Sequence, residues 1–440
     1  MIWGRLFLLF DYPLRDSKGT QRKMDKLVIE GGNPLYGEVR IAGSKNATLP
    51  LMAASILADG VTTIRNTPLL ADIRTFNRVL ERLGIVPELE DHTLRLDASR
   101  IQNDEAPYEL VKTMRASIYV LGALLGRLGR ARVSMPGGCA WGPRPIDIHL
   151  KGLAALGASI ELDHGYIVAK AKRLKGARFV LDFPSVGATV NILLAASTAE
   201  GETILDNVAR EPEITSLVRM LRRMGAKIEG DGGSTLQIQG TTTLQSVDYT
   251  VIPDRIEAGT YLAAVGLIGG DITLKGADPE HLTMILAKSA EAGLHITVTT
   301  EGIRVKRQGA LRPVDVQTAV YPGFATDMQA QWIALMTGAN GVSLVTDTIY
   351  PDRFTHVAEL LRLGADIKIK ENMARVTGPV QLVGAPVMST DLRASASLVI
   401  AALAAEGQTQ ISRVYHLDRG YERLEEKFTK LGATIKRESE

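Results

Sequence analysis

The stretch VLERLGIVPELEDHTLRL, residues 79–96, decides the fold of this chain. Its first half ends in Leu-Gly, the mark of a helix whose last turn is stopped by a left-handed glycine. Its second half alternates apolar and polar residues, as a strand with one buried face does. The pattern recurs in GLAALGASIELDHGYIVAK (152–170), MLRRMGAKIEGDGGSTLQI (220–238), KSAEAGLHITVTTEGIRV (288–305), ELLRLGADIKIKENMARV (359–376) and KFTKLGATIKRES (427–439). The marker glycines are Gly84, Gly157, Gly225, Gly293, Gly364 and Gly432. They stand about 70 residues apart, a period that signals a repeated structural unit.

Each unit holds a second helix of different character, as in LPLMAASILADGVTTI (49–64), TVNILLAASTAEGETIL (189–205) and SASLVIAALAAEGQTQI (395–411). These helices are rich in small residues and apolar nearly all round, which marks a helix buried on every face. Six such helices with many short half-buried strands predict an inside-out α/β architecture, helices within and sheets without. Six units divide into two domains of three, with a junction near residues 250–255. Two similar domains imply a cleft between them, a favoured place for a ligand.

Lysine and arginine (51) nearly balance aspartate and glutamate (49), and no basic block occurs, so neither nucleic acid nor a membrane surface is expected as a partner. A single cysteine excludes an intrachain disulfide framework and a thiolate metal cluster, which fits the reducing cytoplasm. The segment AGSKNAT lacks the glycine that would complete a phosphate loop, no dinucleotide or H-E-x-x-H motif occurs, and the histidines are scattered. Neither a cofactor nor a metal is therefore expected. Residues 1–23 read as a misplaced start or a disordered extension, because the apolar run 6–10 is too short to span a bilayer and no signal-peptide cleavage pattern follows it.

The candidate chemistry lies in cations at the edges of apolar segments. Lys45, Arg115 and Arg393 stand at the N-terminal ends of buried helices in different repeats, and Arg144, Arg353 and Arg419 stand in turn-forming segments. Alone, each reads as a solvated cap or an ion-pair partner. Together, at helix ends that already favour anions, they point to a small ligand with more than one anionic group. Asp327 precedes the fifth buried helix and reads either as an N-cap or as a general base at the cleft. Asp391 is open between cap and site, and Asp72 between cap and partner in closing the domains. Cys139, in a Gly-Gly turn five residues before Arg144, is either an incidental thiol or a proton donor titrating near neutrality.

The segments GSKNATLP, APYELVKTMRASIYVLG, PGGCAWGPRPIDIHL, SVGATVNILLAA, AREPEI, PDRIEAGT, FATDMQAQ, DLRASASLV and YHLDRGYERLE, in this order from Met24 to the C-terminus, resemble the enolpyruvyl transferases that use UDP-N-acetylglucosamine. The resemblance implies two inside-out domains, residues 24–44 with about 253–440 and residues 45–252. It implies transfer of enolpyruvyl from phosphoenolpyruvate to the 3′-hydroxyl of UDP-N-acetylglucosamine, at the start of peptidoglycan synthesis, by a monomer or weak homo-oligomer. By the same resemblance Cys139 is the acid and forms an adduct with phosphoenolpyruvate, and its thiol is the target of fosfomycin. Lys45, Asn46, Arg144 and Arg419 hold the phosphate and carboxylate. Arg115, the run Arg144, Pro145, Ile146, Asp147 and Ile148, the run Phe183, Pro184, Ser185 and Val186, and Ile349 position the UDP-sugar. Asp327 is the base, Arg353 and Asp72 serve domain closure, and Asp391 and Arg393 line the phosphate side. Phe183 and Pro184 replace a more polar start of their segment, so that contact falls to the backbone or is lost. A sister family that uses shikimate 3-phosphate lacks the PGGC loop, and a non-catalytic UDP-sugar-binding paralogue would be expected to lose Cys139, Lys45 or Asp327.

Overall fold

The computed structural model describes residues 25–112, 114–135 and 146–439. All six marker glycines have positive φ, between 91° and 109°, so each ends its helix in the conformation that only glycine adopts without strain. The six apolar helices are Lys45–Ala54, Val120–Leu128, Val186–Ala196, Arg255–Ile268, Gln329–Met336 and Leu392–Ala404. Most residues of each are buried, the polar Thr48, Asn191, Thr260, Gln331 and Ser397 included. Helices of this composition have no face to give to water, so they pack on one another and leave the outside to the strands.

Six four-stranded sheets cover them among the described residues, and all six share one topology. The strand that follows each buried helix has a short parallel neighbour on one side and an antiparallel two-strand unit on the other. In the first repeat the order is Asp248–Thr250, Val61–Arg65, Thr93–Asp97, Val86–Glu90. Period-two burial follows: Leu94 and Leu96 point inward with no exposed surface, while Arg95 between them faces solvent.

Three sheets borrow a strand from far along the chain. Asp248–Thr250 closes the first sheet, Leu35–Arg40 runs parallel to Gly270–Lys275 in the fourth, and Asp25–Glu30 lies between Gln408–Ser412 and Thr434–Ser439 in the sixth. The sixth repeat ends one strand short, and the N-terminal strand fills its place. Two hydrophobic cores result, one built from residues between Ala47 and Val251, the other from Leu27–Ile41 together with Ile256–Ile435. The chain passes between them twice, at adjacent points, where Gly43 and Pro253 form an isolated bridge.

Close helix packing depends on small residues. A Cβ added at Gly122 would lie 2.1 Å from the backbone oxygen of Asn191 on the neighbouring helix, far inside contact distance. Gly122→Ala should therefore force two core helices apart and lower stability by about 2–3 kcal/mol, the cost of overpacking a tight core. Thermal unfolding of the variant beside wild type measures this.

Candidate active site

Each buried helix begins with backbone N–H groups that lack partners, and the N-termini of the first, fourth, fifth and sixth helices meet where the two cores face each other. Asp254 caps the fourth, accepting from Ile256 N (2.8 Å) and Glu257 N (3.1 Å), and its second oxygen accepts from the backbone N of Lys45 at 3.2 Å. Glu257, in the first turn of that helix, accepts from Ala42 N at 2.7 Å and pairs with Lys427. Two carboxylates of one core thus hold the crossing segment and present Lys45 to the cleft.

Around Lys45 the charges form two adjoining groups. In one, Asp72 lies between Lys45 Nζ (3.3 Å) and Arg419 Nε (2.9 Å). Asp72 and Lys45 are on the first core and Arg419 on the second, so this carboxylate bridges the cleft. Beside it, Leu69 N donates to Glu422 Oε2 at 3.0 Å, a second tie between the same segments. In the other group, Asp327 accepts from Arg353 Nη1 on one oxygen (3.0 Å) and from Arg393 Nη2 on the other (3.1 Å). Asn46 reaches across from the first core to the same carboxylate at 3.3 Å.

Burial pushes the Asp327 carboxyl up, but the charges of Arg393, Arg353 and Lys45 overcome that and hold it well below the usual carboxylate range. Burial raises Asp72 as well, and Lys45 and Arg419 bring it below its ordinary value. Burial lowers Lys45, Asp72 opposes this, and Arg393 and Arg419 add to the lowering. The cleft therefore holds ionised carboxylates in the places where anions are favoured.

Several expectations change in detail. Asp327 is not an N-cap: it sits inside the turn Thr326–Met328, makes no cap bond, and spends both oxygens on side chains. Asp391 is a cap, accepting from Arg393 N (2.9 Å) and Ala394 N (3.2 Å) at the sixth helix. Asp72 is not a cap, since Leu70 precedes its helix and Asp72 lies in the first turn. Arg353 pairs within its own core, with Asp327 and Thr326, and makes no ion pair across the cleft among the described residues.

A second cluster forms on the first core. Arg115 opens the turn Arg115–Tyr119, Ile146 precedes the helix Asp147–Ala155, and Ser185 caps the helix Val186–Ala196 through Ala188 N. Ile148 is half-buried, Asp147 pairs with Lys151, and Val186 follows the cap. Phe183 is exposed and Pro184 half-buried. Between these elements lies His149, whose Nδ1 is 2.8 Å from Asn191 Nδ2. Because Asn191 Oδ1 accepts from Gly122 N, its amide nitrogen is the donor and the His149 proton resides on Nε2. Ile349 sits on the second core, in a turn that Asp347 holds by accepting from Ile349 N (3.0 Å) and Tyr350 N (2.8 Å). Asp347 also accepts from Thr326 Oγ1 at 2.8 Å, so one buried carboxylate fixes the turns of both Asp327 and Ile349. Cys139, Arg144 and Pro145 lie outside the described residues.

Asp347, Asp254, His149 and Tyr421 escape sequence reasoning, although PDRIE and RGYE contain two of them. The partners that give them their place at the site are distant in the chain: Lys45 N for Asp254, Thr326 for Asp347, Asn191 for His149 and Thr260 for Tyr421. Only an Asp directly before an apolar helix, as in PDRIE, carries a clear local signal. The space beside Arg255, His281 and Tyr321 is about 10 Å³, room for at most one water, so it competes with the cleft for no substrate.

Comparison with known proteins gives these inside-out domains a class, the enolpyruvyl transferases. The family model described as EPSP synthase (3-phosphoshikimate 1-carboxyvinyltransferase) matches residues 29–428. The enolpyruvyl transferase NikO from Streptomyces tendae superposes with a TM-score of 0.85 at 29% identity, over 95% of this chain and 100% of that one. An EPSP synthase from Acinetobacter baumannii shares the fold at 18% identity, with a TM-score of 0.74 over 94% of this chain and all of that one. Proteins named UDP-N-acetylglucosamine 1-carboxyvinyltransferase are 55% identical in Trichlorobacter lovleyi and 54% in Geobacter metallireducens, each over 95% of this chain and 100% of the relative. The chain belongs to the UDP-N-acetylglucosamine 1-carboxyvinyltransferase family.

Two outcomes test the electrostatics. Asp72→Asn leaves Lys45 and Arg419 facing each other, and loss of one member of a buried pair should cost about 3 kcal/mol. Thermal unfolding should show the loss, with inorganic phosphate restoring part of it. In wild type the Asp72 contribution is present above the unfolded carboxylate pKa and fades as pH falls through the lowered folded value. Burial lowers His149 to about 4, helped by Arg115 and opposed by Asp147. Its NMR titration should thus show a neutral ring from pH 7 to well below 6. Stability should fall as pH drops from about 6.5 toward that value, because the unfolded chain takes up the proton first.

Proposed function

We propose that this chain transfers the enolpyruvyl group of phosphoenolpyruvate to the 3′-hydroxyl of UDP-N-acetylglucosamine, releasing phosphate, and so opens peptidoglycan synthesis in the cytoplasm. The observation that carries this reading is the meeting of Lys45, Arg393 and Arg419 with Asn46, Asp72 and Asp327 beside converging helix N-termini. Phosphoenolpyruvate, with a phosphate and a carboxylate a few atoms apart, suits that arrangement. The proposed domain division is 24–44 plus 253–440 and 45–252, which leaves the phosphate-binding cations distributed between both. No helix among the described residues is long and apolar enough to cross a membrane.

In the proposed reaction the sugar hydroxyl bonds to C2 of phosphoenolpyruvate while a proton is delivered to C3. The tetrahedral adduct then loses phosphate from C2 and a proton from C3, leaving the enol ether. Cys139 supplies the first proton. Lys45, Arg144 and Arg419, with Asn46, hold the phosphate and carboxylate, and Asp391 and Arg393 line the same side. Arg115, the run Arg144–Ile148, the run 183–186 and Ile349 hold the UDP-sugar, with Asp72 serving closure and Arg353 holding Asp327.

Asp327 takes the hydroxyl proton, and its setting defines how. A carboxylate held below its usual range is a poor base toward a free alcohol. It orients the hydroxyl first and accepts the proton only as the new C–O bond makes that oxygen acidic. An anionic substrate oxygen on Arg393 would share that guanidinium and return basicity to Asp327, so the base strengthens once phosphoenolpyruvate is bound.

Phosphate release should require both substrates, fail in Cys139→Ser, and fall about 100-fold or more in kcat for Asp327→Asn. Fosfomycin should add once to wild type and not to Cys139→Ser, read by intact mass. Release with shikimate 3-phosphate in place of the nucleotide sugar would move the chain to the sister activity. Tight UDP-sugar binding without release would make it a binding protein.

A further inference from the structure

The guanidinium of Arg393 is 2% exposed; Nη2 donates to Asp327 at 3.1 Å, the Tyr421 hydroxyl also interacts with the guanidinium, and Nε and Nη1 are buried without a hydrogen bond of normal geometry. Such a group keeps its orientation only if something else holds its plane. Beneath it lies Tyr421, also 2% exposed, with the Arg393 Cζ 5.4 Å from the ring centroid. The ring is itself fixed. Thr260 Oγ1 donates to Ile256 O at 2.7 Å, so the Tyr421 hydroxyl, 2.8 Å away, donates to Thr260. Gln331 Nε2 is 3.2 Å from both hydroxyl oxygens and donates to them. Thr260 is on the fourth buried helix, Gln331 on the fifth and Arg393 on the sixth, so the ring stands where three helices meet.

We propose that Tyr421 is a positioning residue that sets the plane of Arg393, so that Nη2 orders Asp327 while Nε and Nη1 stay free to donate to the anionic oxygens of phosphoenolpyruvate. The inference rests on the transferase reading above. Tyr421 touches no reacting atom in this account and acts through Arg393. A cation over an aromatic face in a water-poor site gains more than at a surface, and the ring accomplishes this without an anion that would compete for the guanidinium donors.

The test is a double-mutant cycle on steady-state phosphate release, with each substrate varied in turn. Tyr421→Leu should lower kcat/KM for phosphoenolpyruvate about 30-fold, the worth of a desolvated cation–π contact, with the KM for UDP-N-acetylglucosamine little changed. In an Arg393→Lys background the same substitution should cost less than about 3-fold, because the group it orients is gone. Tyr421→Phe keeps the ring and loses its anchor, so a smaller loss, again absent in the Arg393→Lys background, is expected; this variant carries the test if Tyr421→Leu does not fold. Equal losses in both backgrounds, or an equal rise in both KM values, would overturn the role. A wild-type protein that releases no phosphate with both substrates present would overturn the transferase reading, and this inference with it.

Discussion

Everything at the cleft follows from the burial of helices that have no polar face. Because these helices must be surrounded by one another, their N-termini cannot scatter over the surface. They end together where the cores meet, each with unpaired N–H groups and the positive end of a dipole. Asp254 and Asp391 satisfy two of those ends locally. Residues of the first turns then project where positive potential is already concentrated, and two of them are Lys45 and Arg393.

So much positive charge in little space would repel itself, and the carboxylates resolve this. Asp327 and Asp72 each neutralise two cations and belong to opposite cores. Their depressed pKa values are one side of a reciprocal relation: what holds a carboxylate ionised also holds the cations in place. A substrate phosphate entering the cleft exchanges one anion for another in an arrangement already set, so little reorganisation is needed on binding.

Much of this was legible in the residues. Gly84 and its five counterparts announced helix ends and the repeat, because a left-handed stop after an amphipathic run is a local requirement. The apolar helices announced themselves by lacking a polar face. Lys45, Arg393 and Asp327 could be suspected from their placement. Their pairing could not: Asp327 looked like a cap because the two arginines that claim it come from segments 26 and 66 residues away. The anchoring of Tyr421 on Thr260, 161 residues away, has no local trace at all. That Asp25–Glu30 lies between Gln408–Ser412 and Thr434–Ser439 has no local trace either, and only the fold shows it.

That borrowed strand also sets an order of events during synthesis. The first core is contiguous in the chain, and all its residues exist once Val251 has been made. The second cannot close its sixth sheet until Thr434–Ser439 meets Asp25–Glu30, a pairing across nearly the whole polypeptide. On the ribosome the first half can therefore reach its folded form while residues 25–41 wait, unpaired, for a partner still to be translated. The second half closes its sixth sheet only after Thr434–Ser439 leaves the exit tunnel, and the cleft between the halves forms after that.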